Sequence, residues 1–292
     1  MEEVKIIKQG NKDYPVKLLQ IQEPPKRLYI EGNEKLLNNN AIAIVGSRKA
    51  TEYGRKCASY FAKELSKKSI TIVSGLAVGI DSIAHIHSME EKGKTIAVIG
   101  SGFKHITPKE NYYLYKQIIE NGGCIVSEYP PETQGETANY PRRNRIISGL
   151  AMGVLVVEAR YRSGSSITAN LAIKQKKEVF CVPNRIDEKT GNGTNNLIQK
   201  GANLVTCPDD ILDFYHFENS SEEIEMPKEY REVYELIGEL PISANEIAKI
   251  TNKNIAKITE SLCILEIEEL IKQVAGNQYV RVNKKDESIR IY

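Results

Sequence analysis

From residue 41 onward, short runs of consecutive apolar residues alternate with longer stretches whose apolar positions recur at helical spacing. The runs are Ala41–Val45, Ile70–Val73, Thr95–Ile99, Cys124–Val126, Val154–Val157 and Val179–Val182. Each is short and β-branched, as a strand covered on both faces should be. The stretches Tyr53–Lys67, Ile80–Glu91, Asn111–Glu120, Arg143–Ala151, Ser165–Lys174 and Asn195–Lys200 read as helices. One strand–helix unit every 25 to 30 residues or so predicts an α/β fold, a mostly parallel sheet with helices on both sides. Right-handed crossovers then put the strand-to-helix loops on one edge.

The pattern differs at both ends. Residues 1–40 carry Tyr14-Pro15, Pro24-Pro25 and Leu28-Tyr29 and read as an extended lead-in that packs on the sheet. The sheet domain is expected over 41–217. The acidic, polar stretch 218–227, closed by Pro227, reads as a linker. In the remaining segment, 228–292, Glu229–Ile237 looks helical. Ser243 with Glu246 three positions on forms a capping box that opens a second helix, to Ile250. Lys253–Leu270 reads as a third helix, with Ile255, Ile258, Leu262, Leu265 and Ile267 as its apolar stripe. Ile271–Val274 and Gln278–Val282 follow as a hairpin around Ala275-Gly276-Asn277. Three helices and a hairpin in this order are those of a winged helix.

Composition narrows the function classes. A hydrophobic share of 41% and a charged share of 27% are those of an ordinary soluble globular protein. The net charge is only +2, so nucleic-acid binding would have to come from a local patch. The five cysteines contain no C-x-x-C pair, which argues against a zinc ribbon or a disulfide framework. Cys124 and Cys181 lie in apolar runs and are expected in the core. His85 and His87, two apart, point to different faces of a helix. No signal peptide and no run of 18 apolar residues is present, so a cytoplasmic location is expected. No cofactor is expected.

The candidate chemistry sits in the loops that leave the strands. They carry Gly46-Ser47-Arg48, Ser74-Gly75 with Gly79 and Asp81, Gly100-Ser101-Gly102 with Lys109, and Glu158 through Arg160, Arg162, Ser163, Gly164 and Ser165. Glycine lets the backbone approach an anion, successive N–H groups form a concave nest, and serine adds a donor. Tyr140-Pro141-Arg142-Arg143-Asn144-Arg145 then places three arginines in four positions at an expected helix start. The guanidinium fork is the side chain best suited to phosphate, and a helix start adds its own N–H groups. Asp81 is expected to cap the helix after Gly79, and Glu158 to hold Arg160 or a loop amide. No G-x-G-x-x-G follows the first strand and no P-loop sequence exists, which excludes the common dinucleotide and ATP sites. No Ser-His-Asp set or metal cluster can be assembled. Phosphate donors outnumber acids and bases, which points to binding rather than turnover.

Ile44–Arg48, Ser74–Asp81, Gly100–Gly102, Ser127–Pro131, Tyr140–Gly149, Val156–Ala159, Ser163–Ala169, Val179–Pro183 and Asn195–Ala202, in this order, resemble the DprA/Smf family of DNA-processing proteins. The resemblance implies an extended Rossmann-like domain that binds single-stranded DNA without sequence preference. It also implies a homodimer that helps load RecA recombinase in natural transformation, displacing or bypassing single-strand binding protein, without enzymatic turnover. By motif, Gly46, Ser47 and Arg48 should clamp a phosphate, and Ser101, Gly102, Ser163, Gly164 and Ser165 should line the same pocket as Gly75. Lys109, Arg142, Arg143, Asn144 and Arg145 should add charge and donors, and Tyr140 stands where an aromatic could stack on a base. The 228–292 segment resembles the winged-helix domain of many members, whereas the N-terminal helical domain of some members has no room. Asn184 departs from the glycine usual after Val-Pro, and Asn tolerates the positive φ such a turn needs. Ile186–Gly193 is also unusual.

Two other readings compete. A nucleotide phosphoribohydrolase would need a glutamate soon after the glycine-rich loop, where Thr168 is followed by Ala169-Asn170-Leu171. A ligand-sensing repressor would need base-reading side chains in the tail, which offers Lys249, Lys253 and Lys257 but no arginine between them and Arg281.

Overall fold

The computed structural model describes residues 4–90, 93–217, 228–238 and 240–282. The chain divides into two compact units, Met1–His216 and Phe217–Tyr292.

The first unit is built on a nine-stranded sheet. It opens with β1 (Lys5–Lys8), the short α1 (Val16–Leu19) and β2 (Arg27–Gly32). The alternation then runs β3 (Ala41–Gly46), α2 (Glu52–Lys67), β4 (Thr71–Ser74), α3 (Ile80–Glu90), β5 (Thr95–Ile99), α4 (Tyr112–Glu120) and β6 (Cys124–Ser127). It continues with α5 (Asn139–Leu150), β7 (Gly153–Glu158), α6 (Gly164–Lys174), β8 (Glu178–Cys181), α7 (Asn192–Gln199), β9 (Asn203–Leu204) and α8 (Pro208–Phe214). The strand order is β1-β2-β6-β5-β4-β3-β7-β8-β9. Every pair from β6 to β9 is parallel. All residues of β4, β5 and β6 are buried. Val98 joins one apolar cluster while its neighbours Ala97 and Ile99 join another, so helices cover both faces of the central strands. Cys124 and Cys181 are fully buried thiols within these strands.

The segment 1–40 does more than pack on the sheet. Its β2 pairs antiparallel with β6, and β1 pairs with β2. Leu28, Tyr29 and Ile30 are buried by this pairing, which also satisfies the backbone groups of what would otherwise be an edge at β6.

The second unit contains α9 (Lys228–Leu236), β10 (Ile242–Ser243), α10 (Ala244–Thr251), α11 (Ile255–Ile267), β11 (Ile271–Val274) and β12 (Gln278–Arg281), with sheet order β10-β12-β11. This is the winged-helix order, with β10 as a third strand beside the hairpin. The capping box forms as expected: Glu246 N donates to Ser243 Oγ at 3.3 Å and Ser243 N to Glu246 Oε2 at 2.9 Å. Ile258, Leu262 and Leu265 close on Val233, Ile247 and Ile271. Ile255 and Ile267, expected in the same stripe, are 43% and 78% exposed, because they are the first and last residues of α11 and Ile267 falls on the face opposite Ile258. The expected linker, 218–227, lies outside the described residues.

Candidate functional site

The strand order reverses at β3. The chain winds outward from β3 through β4 and β5 to β6, then restarts with β7 on the other side of β3. Loops after β3 and β7 therefore diverge and leave a crevice at the carboxyl ends of the strands, the usual ligand position in open α/β sheets. Gly46-Ser47-Arg48 forms one lip. A Cβ on Gly46 would lie 2.5 Å from the Ile80 side chain, so the loop sits directly on the start of α3. Gly79, at φ +86°, abuts the Ser47 and Arg48 backbone, and Ile80 N donates to Ser47 O at 3.2 Å. Any other residue at 79 would need both a left-handed backbone and space that is not there. Ser47 Oγ accepts from Lys49 N at 3.1 Å within the exposed loop. Arg48 stays exposed, its guanidinium carbon 5.9 Å from the Tyr140 ring centroid.

Tyr140 joins this lip to the next loop. A Cβ on Gly100 would be 3.0 Å from the Tyr140 ring. Ser101 is buried, its Oγ has no hydrogen-bond partner among the described residues, and its carbonyl accepts from Ser127 Oγ at 2.7 Å. Gly102 lies against the carbonyls of Pro130 and Pro131 and donates its N–H to Thr133 O at 2.8 Å. Lys109 is exposed on the 3₁₀ turn Lys109–Asn111, which Asn111 Nδ2 anchors to Leu76 O at 2.8 Å. On the opposite lip Asn144 Nδ2 donates to Gly164 O at 3.4 Å. Ser163 caps α6 by accepting from Ser166 N at 3.4 Å, and its Oγ lies 2.9 Å from Ser165 Oγ. The segments around 48, 101, 140–144 and 164 thus meet along one rim.

The arginine cluster does not stay together. α5 starts at Asn139, four residues before the expected Arg143, because Pro141 falls in the first turn, where a missing N–H costs nothing. The arginines therefore lie on the helix wall rather than at its tip, and successive positions turn by about 100°. Arg142 is exposed. Arg143 turns inward: its Nη1 donates to Gly75 O at 2.5 Å and to Val98 O, and its Nε to Asn144 Oδ1 at 3.1 Å. Burial pulls its pKa down to about 10, partly offset by Asp81, so it remains charged at neutral pH. Arg145 is buried too, and its Nη2 donates to both Glu128 oxygens, at 2.6 and 2.7 Å. Expected as open phosphate forks, these two guanidinium groups brace loops. Gly75 likewise does not face the rim: a Cβ there would lie 2.7 Å from Asp81 Oδ2 and 2.8 Å from the Arg143 guanidinium.

The acids are engaged as well. Asp81 accepts from Gly75 N at 3.1 Å and faces Arg143; as the second residue of α3 it fixes the loop ahead of the helix rather than supplying the expected cap. Burial raises its pKa against the pull of Arg143. Glu158 takes a loop amide: it accepts from Thr51 N at 3.0 Å and from Thr51 Oγ1, across the crevice floor. Among the described residues no group of His, Cys, Asp and Glu could hold a metal ion. Asn184 keeps an ordinary φ; its N–H donates to Asn195 Oδ1 at 3.0 Å, so the departure from glycine is accommodated by side-chain bonding instead. Arg160 and Arg162, noted in the loop after β7 but not among the residues expected to contact DNA, flank Tyr161. All three are exposed on the loop after β7, with Arg162 5.3 Å from the Tyr161 ring and at φ +58°. The signal was present as an aromatic between two arginines.

Residues 5–216 match the family model of DNA recombination-mediator protein A. The chain belongs to this family. Protein Smf of Escherichia coli is 36% identical over 285 residues, covering 93% of this chain and 75% of that protein. DNA processing protein DprA of Bacillus subtilis is 42% identical over 205 residues, 70% of this chain and 69% of its own length. Among solved structures, DprA of Streptococcus pneumoniae superposes with a TM-score of 0.68 at 39% identity, over 73% of this chain and 74% of that one. DprA of Helicobacter pylori, described for its single-stranded DNA binding mode, gives 0.67 at 30% identity, over 74% and 97%. The Rossmann-like architecture is therefore that of the DNA recombination-mediator family, whose members are DNA-processing proteins. No described helix is long and apolar enough to cross a membrane.

Proposed function

We propose that the crevice holds single-stranded DNA through its phosphates, without reading base sequence. The observation that carries this is the pair at its mouth, the exposed Arg48 guanidinium beside the half-buried Tyr140 ring. A cation to hold a phosphate next to an aromatic face for a base is the minimal unit of single-strand binding, and every base has such a face. The capped start of α6, with Ser163 and Ser165, offers donors for a neighbouring phosphate. Lys109 adds exposed charge. The single-strand binding described for the Helicobacter pylori relative supports the reading.

The acids support binding rather than turnover. Asp81 and Glu158 are both tied to loop amides, which leaves neither available as a general base. Thr168 is followed by Ala169-Asn170-Leu171 within α6, so no glutamate occupies the position a phosphoribohydrolase needs. The wider role we propose is that of a cytoplasmic homodimer that loads RecA recombinase onto incoming single strands and overcomes single-strand binding protein. The family's description as a recombination mediator supports it. The 41–217 region carries the strand, with 228–292 as a separate winged-helix module. The test is oligo-dT binding by anisotropy at several salt concentrations, with the mass of the complex measured alongside. Arg48→Ala should weaken binding at least several-fold and flatten the log–log salt slope by about 0.7. Unchanged affinity and slope would remove Arg48 from the site.

A further inference from the structure

A second basic cavity, of about 840 Å³, lies on the other side of α5, between the start of β2 and the end of β6. Because β2 runs antiparallel to β6, with Tyr29 beside Ser127, the start of β2 is on the same edge of the sheet as the crevice. Lys26, Arg27, Arg142 and Arg145 line it against two carboxylates, Glu23 and Glu128. Its volume is within the roughly 300–1,000 Å³ of small-molecule sites.

Arg145 is the group that points to a ligand. Its side chain is 8% exposed, Glu128 occupies Nη2, and Nε and Nη1 have no hydrogen-bond partner among the described residues. Buried donors left without an acceptor are rare and unfavourable, and a charged donor more so. An anion entering this cavity would meet the exposed charges of Lys26, Arg27 and Arg142, with the Arg145 charge, its unpaired donors themselves covered, in the wall behind them.

The cavity also adjoins the crevice. Pro130 forms part of its wall, and the Pro130 carbonyl is in contact with Gly102 on the crevice rim. α5 stands between the two sites. Tyr140 and Asn144, four apart, share the crevice face, whereas Arg142 and Arg145, three apart, share the cavity face. The separation is one helix width, about 10–12 Å.

We propose that this cavity is a second phosphate subsite, which takes the stretch of single strand leaving the crevice past Pro130. The proposal rests on the single-strand reading above. Its test compares oligo-dT of about 4 and about 16 residues, the range of site sizes found for single-strand grooves. The double variant Lys26→Ala/Arg27→Ala changes exposed side chains only. It should weaken the longer strand several-fold and flatten its salt slope by about 1.4, two phosphates' worth, while the short strand binds as before. Lys26→Glu alone should act in the same direction. A long-strand affinity and slope equal to those of the unaltered protein would overturn the subsite. So would saturable binding of free dTMP that the double variant abolishes while the long-strand slope stays fixed, because the cavity would then belong to a free nucleotide. Arg48→Ala separates the two levels. If it leaves both lengths unaffected, the crevice reading fails; if it weakens both and the double variant weakens neither, only the subsite fails.

Discussion

Two layers at the carboxyl ends of the strands use similar residues to opposite ends. The rim holds Arg48, Tyr140 and Ser163, half-buried or exposed, with Arg48 in no ion pair among the described residues. Directly beneath, Asp81, Arg143, His85 and Glu158 are buried and bonded to backbone or to neighbouring side chains. The difference teaches that charge in a binding loop is not itself a contact. Arg143 braces the loops beneath the rim that carries Arg48, and residue type does not distinguish the two.

Substitution of the lower layer should break this comparison most strongly. Arg143→Ala removes the donors to Gly75 O and Val98 O and leaves Asp81 buried without its counter-charge. A loss of about 3–5 kcal/mol of stability is expected, read from denaturant unfolding. If the variant is as stable as the parent but loses DNA binding, Arg143 belongs to the rim after all. Gly79→Ala comes next. The left-handed backbone and the contact with Ser47 O should cost about 1–3 kcal/mol and displace the Arg48 lip, lowering both melting temperature and affinity. Arg48→Ala should do the reverse of Arg143→Ala: stability within about 0.5 kcal/mol of the parent, with binding alone affected.

The smallest effect at neutral pH, and the sharpest in sign, concerns His85. Thr95 Oγ1 donates to Ile72 O at 2.8 Å, so it must accept from His85 Nδ1, 2.7 Å away. Burial first, and Arg143 second, lower the pKa of His85 from 6.5 to about 3. The unfolded chain therefore binds the extra proton more readily between these values, and stability rises with pH across that window. It is complete above about pH 6.5 and is lost progressively on acidification. His85→Gln should flatten this acid limb in melting curves taken from pH 7 to pH 4. An unchanged limb would place the acid sensitivity elsewhere.

The central alternation was legible because strands buried on both faces cannot hide their apolar runs, and the capping box at Ser243 announced its helix. The strands of segment 1–40 were not. Lys5–Lys8 buries only Ile7, which is too little alternation to register, and β2 is recognisable as a strand only once β6 needs a partner. β9 and β10 are two residues each, below what periodicity can show. α8 was missed although Pro208 opens it, because its seven residues follow a polar turn. The loop glycines and serines other than Gly75 lie along one rim, where the topology puts the strand-to-helix loops. The fates of the three arginines depended on where α5 begins, and Pro141 was read as a boundary when it is an interior residue of the first turn.

The bond from Glu158 at the end of β7 to Thr51 at the cap of α2 spans the point where the sheet's two halves meet. It acts as a rivet: the two lips cannot part without uncovering a fully buried carboxylate. The two lips are thereby coupled, and on the single-strand reading proposed above a limp strand would adapt to the slot rather than the slot to the strand.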